Sequence, residues 1–143
     1  MTAIDFAAFV DQLATVSGET ILPFFRTALA VENKNRGDGS FDPVTAADRA
    51  AEVAMRTLIR RTFPEHGIVG EEYGDEHADA EYVWVLDPID VTKSFISGMP
   101  IWGTLIALTR FGEPVFGMIH HPFPGERFSD HCGAATSRGP PAE

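Results

Sequence analysis

Two carboxylates three residues apart, Asp87 and Asp90, close an apolar run over residues 82–86 and bracket Pro88 and Ile89. A strand that ends this way, with Pro88 stiffening the backbone, can turn both acids toward one or two hard cations, and the Ile89 carbonyl between them offers a further oxygen. The same residues have a plainer reading, in which Asp87-Pro88 opens a turn and Asp90 caps the next helix. Gly70-Glu71-Glu72 ends another apolar run, a strand and a loop earlier. Adjacent acids on a loop usually face solvent. Beside Asp87 and Asp90 they would complete a carboxylate cluster, which is costly unless a cation joins it. Thr45 and Asp48 carry the spacing of a helix-capping pair; the alternative makes Asp48 an acceptor that orients an attacking water.

These groups need elements to hold them. Phe6, Phe9, Val10, Leu13, Val16 and Ile21 recur at helical spacing, so residues 4–29 are expected to form an amphipathic helix bent near Pro23. Residues 33–43, with Gly37, Asp38, Gly39 and Ser40, suggest an exposed loop or hairpin tip. A second helix is expected over 45–61, with Val53, Leu58 and Ile59 on its buried side, stopping before Pro64. Residues 67–70 and 82–86 suit strands, and residues 90–96 a short helix. A hairpin is expected from 103–109 and 114–119 around Phe111-Gly112-Glu113. The fold class expected is α/β, a helix pair layered on a largely antiparallel sheet. Beyond Ser129 no periodic apolar pattern continues, and disorder is expected there.

Composition narrows the chemistry. At 143 residues, 44% apolar and 10% aromatic, the chain can bury one core. A net charge of -10 argues against nonspecific partnership with nucleic acid or an anionic membrane, since both need a basic face. An acidic protein that handles an anion usually sets a metal cation between the two. The single cysteine, Cys132, excludes an intramolecular disulfide and a thiolate cage, and suits a reducing cytoplasm. Residues 1–10 include Asp5 and lack a basic start, so neither a signal peptide nor a membrane anchor is expected there.

The motifs become specific in combination. Asp42-Pro43-Val44-Thr45-Ala46-Ala47-Asp48, Gly70-Glu71-Glu72 and Trp84-Val85-Leu86-Asp87-Pro88-Ile89-Asp90, in this order, resemble the inositol monophosphatase family. Thr92-Lys93-Ser94-Phe95-Ile96-Ser97-Gly98, Gly103-Thr104-Leu105-Ile106-Ala107-Leu108 and Gly125-Glu126-Arg127-Phe128 most resemble its histidinol-phosphatase branch, and the similarity runs from Ile4 to Phe128. The resemblance implies a magnesium-dependent phosphomonoesterase. Glu71, Asp87, the Ile89 carbonyl and Asp90 would then be Mg2+ ligands, with Glu72 assisting them. Asp48 and Thr92 would orient and activate the water. The phosphate would rest on backbone N–H groups of Val91 and Thr92, next to Asp90, and Lys34 would mark a loop closing on the site. The implied substrate is a small phosphorylated metabolite, histidinol phosphate of histidine biosynthesis, with inositol 1-monophosphate or a nucleotide bisphosphate as alternatives. A homodimer is the expected assembly. On this reading residues 1–128 form an N-terminal metal-binding phosphatase domain and 129–143 a disordered tail.

Two departures set the chain apart from that pattern. Val91 stands where the family carries glycine, and a positive φ there would strain a valine by about 1–3 kcal/mol. Family members are also much longer, and their second half supplies another sheet layer and a further metal-binding aspartate. That half would cover an apolar surface of Trp102, Leu105, Leu108, Val115, Phe116 and Ile119. Both departures predict impaired turnover, and they raise the alternative of a catalytically inactive fragment that binds a metal or a partner.

Overall fold

The computed structural model describes residues 5–28, 30–34, 37, 43–131 and 137–139. Helix α1 spans Phe6–Ile21 and starts where the Asp5 carboxylate accepts the Ala8 N–H at 3.0 Å. Phe9, Val10, Leu13, Ala14, Ser17 and Ile21 make its buried stripe. It ends sooner than its pattern suggests. Leu22–Phe24 form one 3-10 turn containing Pro23, whose missing N–H cannot extend the α ladder, and Phe25 is already extended. Helix α2, Ala46–Thr62, begins at Thr45, which forms a reciprocal capping box with Asp48. Arg60 and Arg61 complement its C-terminal dipole. Its buried face is Ala47, Asp48, Ala51, Glu52, Met55, Arg56 and Ile59, whereas Val53 is 48% exposed. The buried side of this helix is partly ionic, which apolar periodicity cannot anticipate.

Strands β1 (Val31–Asn33) and β2 (Pro43–Thr45) pair antiparallel, so the expected hairpin exists. Asp42 and most of its tip lie outside the described residues. The main sheet contains β3 (Gly67–Gly70), β4 (Gly74–Glu76), β5 (Tyr82–Asp90), β6 (Gly103–Arg110), β7 (Glu113–His121), β8 (Glu126–Asp130) and β9 (Ser137–Gly139). Their order is β4-β3-β5-β6-β7-β8-β9. Only β3 and β5 run parallel, and every other neighbouring pair is antiparallel. The expected α/β architecture, a helix pair on a largely antiparallel sheet, is what the chain adopts. The β6–β7 turn is made by Phe111 and Gly112 with φ of 49° and 80°, the twist a tight two-residue hairpin requires. Ser129 and Asp130 belong to β8, and β9 pairs with it from Ser137 to Gly139. The sequence offered no apolar alternation there, and the element comes instead from backbone pairing along a sheet edge.

One sheet face carries the helices. Phe9, Leu13, Met55 and Ile59 pack on Trp84, Leu86, Ile106, Leu108 and Phe116. Full burial of each such side chain contributes about 1.5–3 kcal/mol. A second cluster, Ile21, Phe25, Ala47, Ala51, Ile89, Phe95 and Trp102, lies under the end of the sheet that bears the acids. The opposite face shows Val85 at 40% and Ile119 at 44% exposure. Trp102, Leu108 and Phe116, expected on that open surface, are instead buried. Strand alternation explains this, since Leu105 and Leu108 differ by an odd number of residues and must face opposite sides. Among the described residues no helix is long and apolar enough to cross a membrane.

Candidate functional site

Because β3 and β5 are parallel and adjacent, with Gly70 opposite Leu86, their carboxyl ends open at the same sheet end. That pairing brings Glu71 beside Asp87 and Asp90, while Glu72 faces Lys34, Asp48 and Glu52. Within β5 the register slips. Asp87 faces Leu105 and Asp90 faces Gly103, so three steps on β5 match two on β6. This bulge of one extra residue puts Asp87 and Asp90 on a common side, where strict alternation would separate them. Thr104, fully buried on β6, donates to the Pro88 carbonyl at 2.8 Å, and the Ser17 hydroxyl lies 3.5 Å from that of Thr104. No local motif marks this brace.

The charges in this corner oppose one another. The Asp87 carboxyl is pushed up to about 7, first by burial, then by repulsion from Glu71, Asp90 and Asp48, with Lys34 partly offsetting them. Burial also raises Asp48 above the ordinary carboxylate value, against the hydrogen bonds it accepts from Thr45. Glu72 is raised by burial too, and Lys34 holds it in check through a 3.0 Å ion pair. The same ammonium lies 3.7 Å from Glu71, whose side chain is 55% exposed. Lys34 thus sits against both glutamates, rather than standing apart as surface charge.

Asp48 serves two neighbours. Its Oδ2 accepts the Thr45 N–H at 2.9 Å and the Thr45 hydroxyl at 2.6 Å. Its Oδ1 lies 3.5 Å from the Thr92 hydroxyl, which sits 2.9 Å from the Ile89 carbonyl. The capping role and the proximity to Thr92 therefore coexist. Helix α3, Thr92–Ile96, starts from Val91, whose φ of 63° and ψ of 53° are left-handed. That conformation suits glycine and is an outlier for a β-branched residue. Val91 is 45% exposed.

Two further residues escaped the sequence reading. Glu52, fully buried on α2, accepts the N–H groups of Glu72 and Tyr73, each at 2.9 Å. Arg56, one helical turn on, donates to Glu52 at 3.1 Å and to the Gly74 carbonyl. An acid and an arginine four apart on a helix read as an exposed pair. The one available signal was Gly70, where a Cβ would stand 2.6 Å from the Glu52 carboxyl carbon.

The donors of this cluster are all hard oxygens, and their mutual repulsion is the state a divalent cation relieves. Among the described residues, no three acids or histidines are drawn close enough to enclose an ion. In chemistry and charge the residues suit Mg2+, and Lys34 now lies against Glu71 and Glu72.

The sequence model of the inositol monophosphatase family matches residues 4–139, past the limit at Phe128 that the motifs suggested. The chain is 46% identical over 133 residues to the chloroplastic bifunctional phosphatase IMPL2 of Arabidopsis thaliana, covering 92% of itself and 37% of that protein. It is 39% identical over 134 residues to the histidinol-phosphatase of Chlorobaculum parvum, covering 92% of itself and 50% of that enzyme. Among solved structures, an inositol monophosphatase from Zymomonas mobilis aligns with a TM-score of 0.78 at 40% identity, over 98% of this chain and 53% of that one. A Thermotoga maritima IMPase aligns with a TM-score of 0.85 at 28% identity, over 95% and 52%. The chain thus spans about half the length, or less, of these relatives.

Proposed function

The chain belongs to the inositol monophosphatase family, and from that premise we propose that it carries the metal- and water-handling side of a magnesium-dependent phosphomonoesterase acting on histidinol phosphate. The observation that carries the reading is the parallel β3–β5 pairing with the one-residue bulge in β5, which gathers Glu71, Asp87 and Asp90 at one sheet end, where their charges oppose one another. In this reading Glu71, Asp87, Asp90 and the Ile89 carbonyl hold Mg2+, which when bound supplies charge neutralisation and a more acidic water. Glu72, fixed by Lys34, assists the ligands from behind.

The chain's own groups then handle the proton. Thr92 takes a proton from the attacking water as its hydroxyl passes its own to Oδ1 of Asp48, 3.5 Å away, and Asp48 then returns that proton to solvent. Burial raises Asp48, which makes it a better acceptor than a solvated aspartate. The hydroxide forms the new P–O bond, the ester P–O bond breaks, and the departing alkoxide takes a proton from solvent. Backbone N–H groups at Val91 and Thr92 receive the phosphate oxygens. The related phosphatases support phosphate-ester hydrolysis, and the histidinol-phosphatases of Chlorobaculum parvum and Mycobacterium tuberculosis favour histidinol phosphate, a step of histidine biosynthesis in the cytoplasm. Inositol 1-monophosphate and nucleotide bisphosphates remain the alternative substrates, and a homodimer the expected assembly.

A second reading has its own observation. Val91 at φ 63° puts a branched side chain where the phosphate cradle needs bare backbone, which favours a chain that binds metal or a partner with little turnover. Phosphate release from the three esters in Mg2+ separates the two. Release from histidinol phosphate above that of Asp90→Asn supports hydrolysis. Equal release from both, with Mg2+ binding still seen by calorimetry, leaves the second reading. Neither release nor binding sinks both.

A further inference from the structure

Asp48, Glu52 and Arg56 follow one another at intervals of four along α2, so they share one helix face, and all three are at most 3% exposed. Burying a carboxylate and a guanidinium is expensive, and packed apolar side chains often do as well or better in stability. What apolar side chains would leave undone here is specific. The N–H groups of Glu72 and Tyr73 point at Glu52, and the Gly74 carbonyl accepts from Arg56. The buried pair therefore grips the turn between β3 and β4 and the first residue of β4, and Arg56 reaches on to Glu76 at 3.6 Å.

Gly70 belongs to the same arrangement. A Cβ there would lie 2.6–2.7 Å from the Glu52 carboxyl atoms, so any side chain at position 70 displaces the carboxylate. Gly70 thus leaves room for Glu52, and the next two residues are the acids of the site.

We infer that Glu52, braced by Arg56, is a positioning residue that sets the Glu71–Glu72 turn relative to Asp48 and so fixes where the acid cluster can receive a divalent cation. The inference rests on the proposed reading only for the cation; the anchoring of the turn stands on its own hydrogen bonds. Removing one charged acceptor from two backbone donors should speed exchange of those amides about tenfold or more.

The test uses the whole chain, with amide hydrogen exchange by NMR and calorimetric titration with Mn2+ alone, on wild type, Glu52→Gln, Glu52→Asp and Gly70→Ala. The expected result is faster exchange at Glu72 and Tyr73 in every variant, unchanged exchange in α1, and Mn2+ binding weakened about tenfold in proportion to the charged hydrogen bonds lost. Unchanged exchange at Glu72 and Tyr73 overturns the inference. So does a uniform rise across the chain, which would mark a merely structural residue, and so does local loosening with undiminished Mn2+ affinity. Should Glu52→Gln not fold, Gly70→Ala, which keeps the carboxylate but crowds it, decides by the same comparison. If wild type binds no Mn2+ while exchange responds locally, the metal reading fails and the anchoring of the turn is upheld.

Discussion

The Thr104 hydroxyl donates to the Pro88 carbonyl at 2.8 Å, which ties the bulged, acid-bearing end of β5 to β6 through a side chain where the backbone ladder is interrupted. Pro88 has no N–H to give the ladder, and its carbonyl, the one backbone group it can offer, is satisfied by this side chain. Thr104→Val keeps the shape but orphans the carbonyl and the Ser17 hydroxyl. Urea unfolding should show a loss of about 1–3 kcal/mol. Thr104→Ser should recover most of it, and equal losses in both would reassign the effect to packing.

Val91→Gly relieves a left-handed conformation that valine tolerates poorly, though it adds freedom to the unfolded chain. The net expectation is a gain on the order of 1 kcal/mol. Val91→Ala should fall between the two. A variant glycine that melts below the parent would argue that the valine makes compensating contacts.

The raised Asp87 carboxyl gives the metal-free chain a definite pH dependence. The folded state keeps a proton that the unfolded state sheds above its ordinary value of 3.8, so stability falls as pH rises from there through about 7. With solvent screening discounted, the loss is about 1–2 kcal/mol. Asp87→Asn should flatten that slope. Millimolar Mg2+ at pH 8 should raise the melting temperature of the parent and leave Asp87→Asn unmoved. A parallel rise in both would place the cation elsewhere.

His120 works in the other direction. It is buried beside Arg127, which donates to its Nδ1 at 3.1 Å and also bonds Asp11 and Thr15 on α1. Burial, then the Arg127 charge, lowers its pKa from 6.5 to about 4. A depressed histidine contributes stability above its unfolded value, and that stability drains away as pH falls from 6.5 through about 4. The loss should be about 3 kcal/mol. His120→Gln should cut the acid sensitivity in this window, with melting curves between pH 4 and 7 as the measurement. An unchanged acid limb would assign the sensitivity to carboxylates instead.

Much of the site could be read before any coordinates because its groups lie next to strong local signals. Thr45 with Asp48 is a capping spacing, Asp87 and Asp90 flank a proline at a strand end, and a valine at position 91 conflicts with the backbone that its neighbours imply. Glu52, Arg56 and Thr104 were invisible for the opposite reason. Each acts on backbone atoms of a segment distant in the chain, and nothing in their own neighbourhood marks them as buried. Strand β4 was missed because Gly74-Asp75-Glu76 has no apolar alternation, only a paired backbone and arginines to meet its acid. The helix limit at Ile21 was overrun because apolar spacing continues through Phe24 and Phe25 while the hydrogen-bond ladder does not.

The turn of Phe111 and Gly112 sits where β6 meets the start of β5, with Arg110 opposite Tyr82, while Gly103 at the other end of β6 faces Asp90. Asp87 and Asp90 therefore lie five and eight residues along β5 from Tyr82, roughly 17 and 26 Å at the usual rise of about 3.3 Å per residue. Phe111 is 72% exposed. A fluorophore, an affinity tag or a whole reporter domain spliced between those two residues would ride on the hairpin away from the acid cluster, so the turn is a ready handle for labelling this protein.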